Sequence, residues 1–254
     1  MTKTQHKILT LLLCAFLVVG ASGCARSANP HEGYKSGIHD PLEGVNRGVF
    51  ALNNALDMVL LNPICKVYNA LLPDFLRDGV RNFMRNLSSP ILVGNEILQG
   101  DFRQAGVSTA RFIINSTAGV GGLMDVAQSQ GLTYADADFG QTLGVWGLGE
   151  GFYIVLPVIG PSSLRDAVGM SVDSYVDPVR LWSFNTHRRW IYYTRVGVDG
   201  LDRRARIMKA MNDLRRNSLD YYAAVRSAYT QKRNAMIRHE RAEDVTIPNY
   251  SDHP

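Results

Sequence analysis

From Asp40 onward the apolar residues recur at helical rather than extended spacing, and that period restricts the chain to folds built from helices. Val45, Val49, Leu52, Leu56 and Val59 follow one another at steps of four, three, four and three, which lines them along one face of an α-helix. A second stripe, Phe102, Ala105, Ala110, Ile113 and Thr117, ends at Gly119-Val120-Gly121-Gly122. Asn62-Pro63 is expected to end the first helix, because a residue before proline avoids the α region. Pro73, Ser88-Ser89-Pro90 and Gly100 are expected to separate further short helices. Ser162 or Ser163 is placed to cap a helix from Leu164, while Thr186 and Ser218 precede long basic helices running to about Met211 and Glu240. Two-residue alternation is scarce, and the best strand candidate is Phe152–Leu156, just before Pro157. An all-α domain follows.

The first residues have a different character. Lys3 and Lys7 precede an apolar stretch from Ile8 to Val19 and then the small residues of "ASGC", the pattern of a secretory signal. A membrane-spanning helix needs roughly 20 apolar residues, more than this stretch supplies. Cys24 at the junction is similar to the bacterial lipobox, in which the thiol is acylated, although Ala21 stands where leucine is commonest. The alternative is ordinary cleavage after Gly23 with a free thiol. Arg26 stands where an aspartate would signal retention at the inner membrane, so the outer membrane is the expected address. Residues 1–23 thus read as a signal peptide, 24–39 as a polar tether, 40–241 as the helical domain and 242–254 as a tail. Beyond the signal no run approaches 18 consecutive apolar residues, so no conventional transmembrane helix is expected.

Charge is unevenly spread. Residues 24–179 carry a net −5, whereas 180–241 carry +10, which suggests an acidic partner or a phosphate-bearing surface for the basic third. His187-Arg188-Arg189-Trp190-Ile191-Tyr192-Tyr193 interleaves charge with aromatics. Such a stretch suits phosphate head groups at a membrane interface, and it equally suits a helix with one solvated basic face. No nucleic-acid partner is expected in an envelope protein.

Signatures of catalysis are weak. The scattered histidines form no metal-binding set, Gly160-Pro161-Ser162-Ser163-Leu164 lacks the last glycine of a nucleophile elbow, and Asp136 and Asp138 read as turn and capping residues. Cys65 reads as a buried inert thiol. In "GVWGLGEGFYIVLPVIGPSS" (144–163), Gly147, Gly149 and Gly151 suggest a phosphate loop, but Phe152 occupies the place of a third glycine and no Gly-Lys-Ser/Thr follows. No cofactor and no metal are expected, and no Ser/His/Asp set can be assembled.

Four stretches carry a resemblance that spans most of residues 40–178. They are "DPLEGVNRGVFALNNALD" (40–57), "NFMRNLSSPILVGNEILQGDF" (82–102), "RFIINSTAGVGGLMDVA" (111–127) and "DFGQTLGVWGLGEGFYIVLPVIGPSSLRDAVG" (138–169). In that order they resemble the MlaA/VacJ family of outer-membrane lipoproteins, with Phe152 where many members have proline. The resemblance implies a ring of short amphipathic helices around an amphipathic channel, lipid-anchored at Cys24 on the periplasmic side of the outer membrane. It implies removal of misplaced phospholipids from the outer leaflet, with a trimeric porin and a periplasmic phospholipid-carrier protein as partners. The expected roles place Gly147, Gly149, Gly151, Phe152, Tyr153, Ile154, Leu156 and Pro157 in a bendable hairpin on the channel. Arg165, Arg188, Arg189 and Trp190 are candidates for a head group or interface, with pairing to Asp166 the favoured alternative for Arg165. The basic region 180–241 is expected to recruit the carrier. Two rival readings are a structural, porin-associated lipoprotein and an envelope phospholipase.

Overall fold

The computed structural model describes residues 40–238, and Cys24, the signal, the tether and the tail lie outside them. Helices dominate: α1 (Glu43–Leu56), a π turn (Asp57–Leu61), α2 (Asn62–Leu71), α3 (Asp74–Leu98), α4 (Phe102–Thr117), α5 (Val126–Ser129) and α6 (Phe139–Val145). An antiparallel hairpin, β1 (Tyr153–Leu156) and β2 (Gly160–Ser163), interrupts them and pairs Tyr153 with Ser163 and Leu156 with Gly160. Then come α7 (Leu164–Val176), α8 (Pro178–Asn185), α9 (Arg189–Asn217) and α10 (Tyr221–Ile237). The expected all-α class and single Gly/Pro-rich hairpin are both present.

Aspartates start many of these helices. Asp101, Asp125, Asp138, Asp177 and Asp220 each accept a backbone N–H in the first turn of the helix that follows, and such a cap contributes about 1 kcal/mol. Ser163 caps α7 in the same way. Between α3 and α4, Asp101 N–H bonds back to Glu96 and Gly100 N–H to Ile97. Gly100 takes the left-handed conformation, φ +79°, that closes a helix this way. Asp101 then caps α4, so a three-residue link folds the two helices into a hairpin.

Two prolines do not break helices as expected. At Pro63 the helix widens instead: Asn62 N–H reaches back to Asp57 O, a π turn that makes room for a ring without a donor. Pro90 lies inside α3, where Ser88 and Ser89 bond their hydroxyls to the carbonyls of Met84 and Arg85. The predicted starts near Thr186 and Ser218 also shift. Thr186 ends α8 and Ser218 ends α9, and the next helix is capped by Asp220.

The continuous helix Glu43–Leu71 is long and apolar enough to cross a membrane by length and composition, and little of it is buried. A count of consecutive apolar residues misses it because Asn46, Asn53, Asn54 and Asp57 interrupt the run. All four turn inward. Asn46 donates to Tyr153 O at 3.0 Å and accepts from Val155 N–H at 2.9 Å. Asn53, two turns on, donates to Leu156 O at 2.9 Å and accepts from Val158 N–H at 2.8 Å. Two amides thus satisfy the free edge of β1 in place of a third strand.

Burial is inverted relative to a water-soluble domain. The buried set is mostly polar, including Asn95, Glu96, Arg111, Gln141, Thr142, Asp166 and Arg233. Large apolar side chains point outward, with Val59, Leu71, Phe75 and Phe102 each about 70% exposed. The apolar stripes read from the sequence are therefore real, but most of their large side chains on α1 and α4 face out; Val49 packs on the Tyr153–Val155–Tyr222 cluster and Ala105 is buried. The buried side of α4 is Ala105, Ser108, Arg111 and Asn115.

Glu96 shows what such an interior costs. It is 2% exposed, accepts from Ser108 Oγ at 2.8 Å, and its other oxygen has no hydrogen-bond partner among the described residues. Burial pushes its pKa up to about 7. The folded carboxyl holds its proton where an unfolded glutamate, at 4.5, has released it, so this group lowers stability as pH rises across that window. Glu96→Gln is expected to raise the thermal midpoint at pH 8 by about 2–4 °C or more and to match the parent near pH 5. Thermal unfolding at the two pH values checks it.

Candidate functional site

The elements line an open cavity of about 370 Å³. One wall is α9, whose Tyr192, Arg195, Val196, Asp199 and Arg203 recur at helical spacing along one face. The facing wall is α7, with Asp166, Met170 and Asp173 at the same spacing. Ser88 and Ile91 of α3, Ser162 of the hairpin, and Tyr229 and Arg233 of α10 also line it, as do the helix-starting Asp138 and Asp177. The lining is amphipathic: Ile91, Met170 and Val196 supply apolar surface beside aspartates and arginines. Met170 and Val196 are 41% and 51% exposed, so the apolar part of this lining is accessible from solvent.

Close backbone contact shapes one end. A Cβ at Gly169 would lie 2.2 Å from Gly140 N, and one at Gly140 would lie 2.7 Å from an Asp166 carboxyl oxygen. The two glycines let α6 and α7 cross almost backbone to backbone and bring both N-termini together. Arg233 occupies the junction, donating to Asp138 at 2.6 and 2.9 Å and to Asp166 at 2.9 Å. Asp166 also accepts from the Tyr229 hydroxyl and pairs with Arg165 at 3.1 Å. Burial alone would raise the Asp166 pKa, but Arg233 and these donors hold it below the ordinary aspartate value. Elsewhere on the wall Arg195 pairs with Asp177 at 2.5 Å and donates to Ser88.

The sequence candidates divide among several places. Tyr153 is buried and meets the rings of Tyr222 and Tyr229. Ile154 pairs with Ser162, while Phe152 and Leu156 are half-buried and Pro157 begins the exposed turn with Val158 and Ile159. Gly147 and Gly151 have φ of +90° and +71°, and a Cβ at Gly151 would meet Leu164 at 3.2 Å. Gly149 has ordinary φ and open space. Arg165 is buried against Asp166 and Leu148 O, so the pairing reading describes it. Arg188, Arg189 and Trp190 are exposed at the α8–α9 corner, where Arg189 lies over the Phe184 ring. The acidic and basic sides of α7 and α9 went unnoticed in the sequence, although their spacing is as regular as that of the apolar stripes.

The charge asymmetry also has an internal explanation. Arg204 grips Asp57 with two hydrogen bonds of 2.6 and 2.7 Å, Arg206 reaches Asp78, and Arg226 reaches Asp40. With Arg195 and Arg233, the basic C-terminal helices neutralise acids of the preceding part. Much of the +10 therefore meets its acidic partner within the chain rather than on another molecule.

Comparison with known proteins agrees with this architecture. A family model described as MlaA lipoprotein matches residues 38–236. The intermembrane phospholipid transport system lipoprotein MlaA of Escherichia coli (strain K12) is 35% identical over 89% of this chain and 88% of its own. The protein of the same description from Haemophilus influenzae is 33% identical over 91% of this chain and 88% of its own. A solved structure, described as the structural basis for maintenance of bacterial outer membrane lipid asymmetry, superposes with a TM-score of 0.69. It is 35% identical and covers 78% of this chain and 98% of its own.

Arg233→Leu is expected to lower stability by about 2–3 kcal/mol, because it leaves the part-exposed Asp138 without an arginine and the buried Asp166 with Arg165 alone. A thermal midpoint within about one degree of the parent would contradict that assignment.

Proposed function

The chain belongs to the MlaA lipoprotein family, and we propose that it moves phospholipid between membranes to keep the outer membrane asymmetric. In this reading it takes misplaced phospholipids from the outer leaflet and passes them inward. The observation that carries the reading is the inverted burial around the cavity: apolar side chains outside, and a lumen with both apolar and charged walls inside. An exterior of this kind is stable only when lipid or protein covers it. A lumen of this kind accepts a molecule with an acyl chain at one end and a phosphate at the other. The role is transport, not catalysis.

A diacylated Cys24 would hold the domain on the periplasmic side of the outer membrane, since two acyl chains give durable anchoring. A trimeric porin would share the outward apolar surface with lipid, and a soluble periplasmic carrier would receive the cargo. Recruitment of that carrier by the basic region is best tested with single surface charges. Removing residues 214–254 would also take away Arg226 and Arg233, which hold Asp40, Asp138 and Asp166, and would undo the fold.

The hairpin would border the passage. Its β strand is fixed to α1 by Asn46 and Asn53, so movement belongs to the glycine arm before it. Gly151→Val, strained by its φ and by Leu164, is expected to raise outer-leaflet phospholipid severalfold at normal protein abundance, whereas Gly149→Val has little effect. Surface phospholipid measured in cells carrying each variant checks this. Unchanged asymmetry with Gly151→Val would oppose a role for the arm.

A further inference from the structure

We propose that the cavity selects phospholipids whose head group carries an ammonium, over those with an uncharged alcohol, through Asp173 and Arg203. The inference rests on the lipid-carrying reading above and names the cargo class. The lining holds five aspartates against three arginines, a net charge of −2 where the cargo must pass. Such a field repels an anionic lipid and accepts one whose phosphate is balanced by its own cation.

Two side chains give this excess a direction. Most lining acids already have an arginine: Asp138 and Asp166 share Arg233, Asp177 has Arg195, and Asp199 has Arg203. Asp173 accepts only from neutral donors, Asn95 Nδ2 at 2.9 Å and Phe139 N–H at 2.8 Å, and no arginine pairs with it among the described residues. Burial and the neighbouring Asp138 raise its pKa, as expected for a carboxylate lacking a cation. Arg203 is the complementary group. Its only acidic partner on the lining is Asp199, at 2.9 Å, and its side chain is 66% exposed. It can therefore turn to a phosphate without unmaking a buried pair, which Arg195 and Arg233 cannot.

The test uses the full-length, lipid-stripped protein in detergent, exchanged against equimolar phosphatidylethanolamine and phosphatidylglycerol, with captured lipid quantified by mass spectrometry. The parent is expected to favour phosphatidylethanolamine on the order of tenfold, the scale of one unit charge acting across a lumen. Asp173→Asn, which keeps an acceptor for one of its two neutral donors, brings the ratio towards one. Arg203→Gln lowers total capture and widens the preference, because it makes the lumen more negative. If Asp173→Asn does not fold, the opposite shift in Arg203→Gln still decides the matter. Equal capture by the parent, or a ratio unmoved by both variants, overturns the selectivity while leaving lipid carriage intact. No capture of either lipid overturns both.

Discussion

Arginines on the C-terminal helices, each holding an aspartate from an earlier part of the chain, are what the rest of this fold depends on. A protein whose large apolar side chains face outward cannot draw its cohesion mainly from a hydrophobic core. Here the interior is joined by charge: Arg204 to Asp57, Arg195 to Asp177, Arg226 to Asp40, and Arg233 to Asp138 and Asp166. Several of these carboxylates also cap helices. Asp138 starts α6 and Asp177 starts α8, so the residue that begins a helix also fixes where that helix sits. Buried pairs are costly to dehydrate and bring little net stability compared with well-packed apolar groups, but they fix geometry. They also leave a polar lumen where an apolar core would fill the space.

The helices were legible in the sequence, but the direction they face was not. Val45, Leu52 and Val59 do form one face, and the usual inference from such a stripe is burial against a core. That inference assumes water on the other side. With Val59 about 70% exposed and Asn46 turned inward to hold β1, the stripe is the surface and its polar neighbours are the anchor. Pro63 and Pro90 misled for a related reason. Local rules place a break at each, yet the helix runs through both, with a π turn before Pro63 and none needed at Pro90. Ser163 was identifiable as a cap because its chemistry is local. Ser218 and Asp220 are both capping types two residues apart; Asp220 caps α10, while the Ser218 hydroxyl donates back to Leu214 O at the end of α9.

For the site, legibility followed the type of signal. The hairpin announced itself through glycines and prolines, and a strand was found close to where it was expected. The cavity wall did not, because no motif marks Asp173, Asp199 or Arg203. Their helical spacing is visible only once mixed charge is treated as a stripe in its own right. The basic third invited an external acidic partner, whereas the complementary −5 of residues 24–179 already supplied much of it. Charge totals by segment can therefore report intramolecular complementarity as readily as binding.

The claim that phospholipid enters the lumen, rather than only coating the outside, is tested most directly by photo-crosslinking in intact envelopes. A photoreactive residue at Val196 samples the cavity wall, and one at Val59 samples the outward face. Phospholipid adducts are expected from both positions. Adducts from Val59 with none from Val196 would contradict it, leaving a protein that sits in lipid without carrying it.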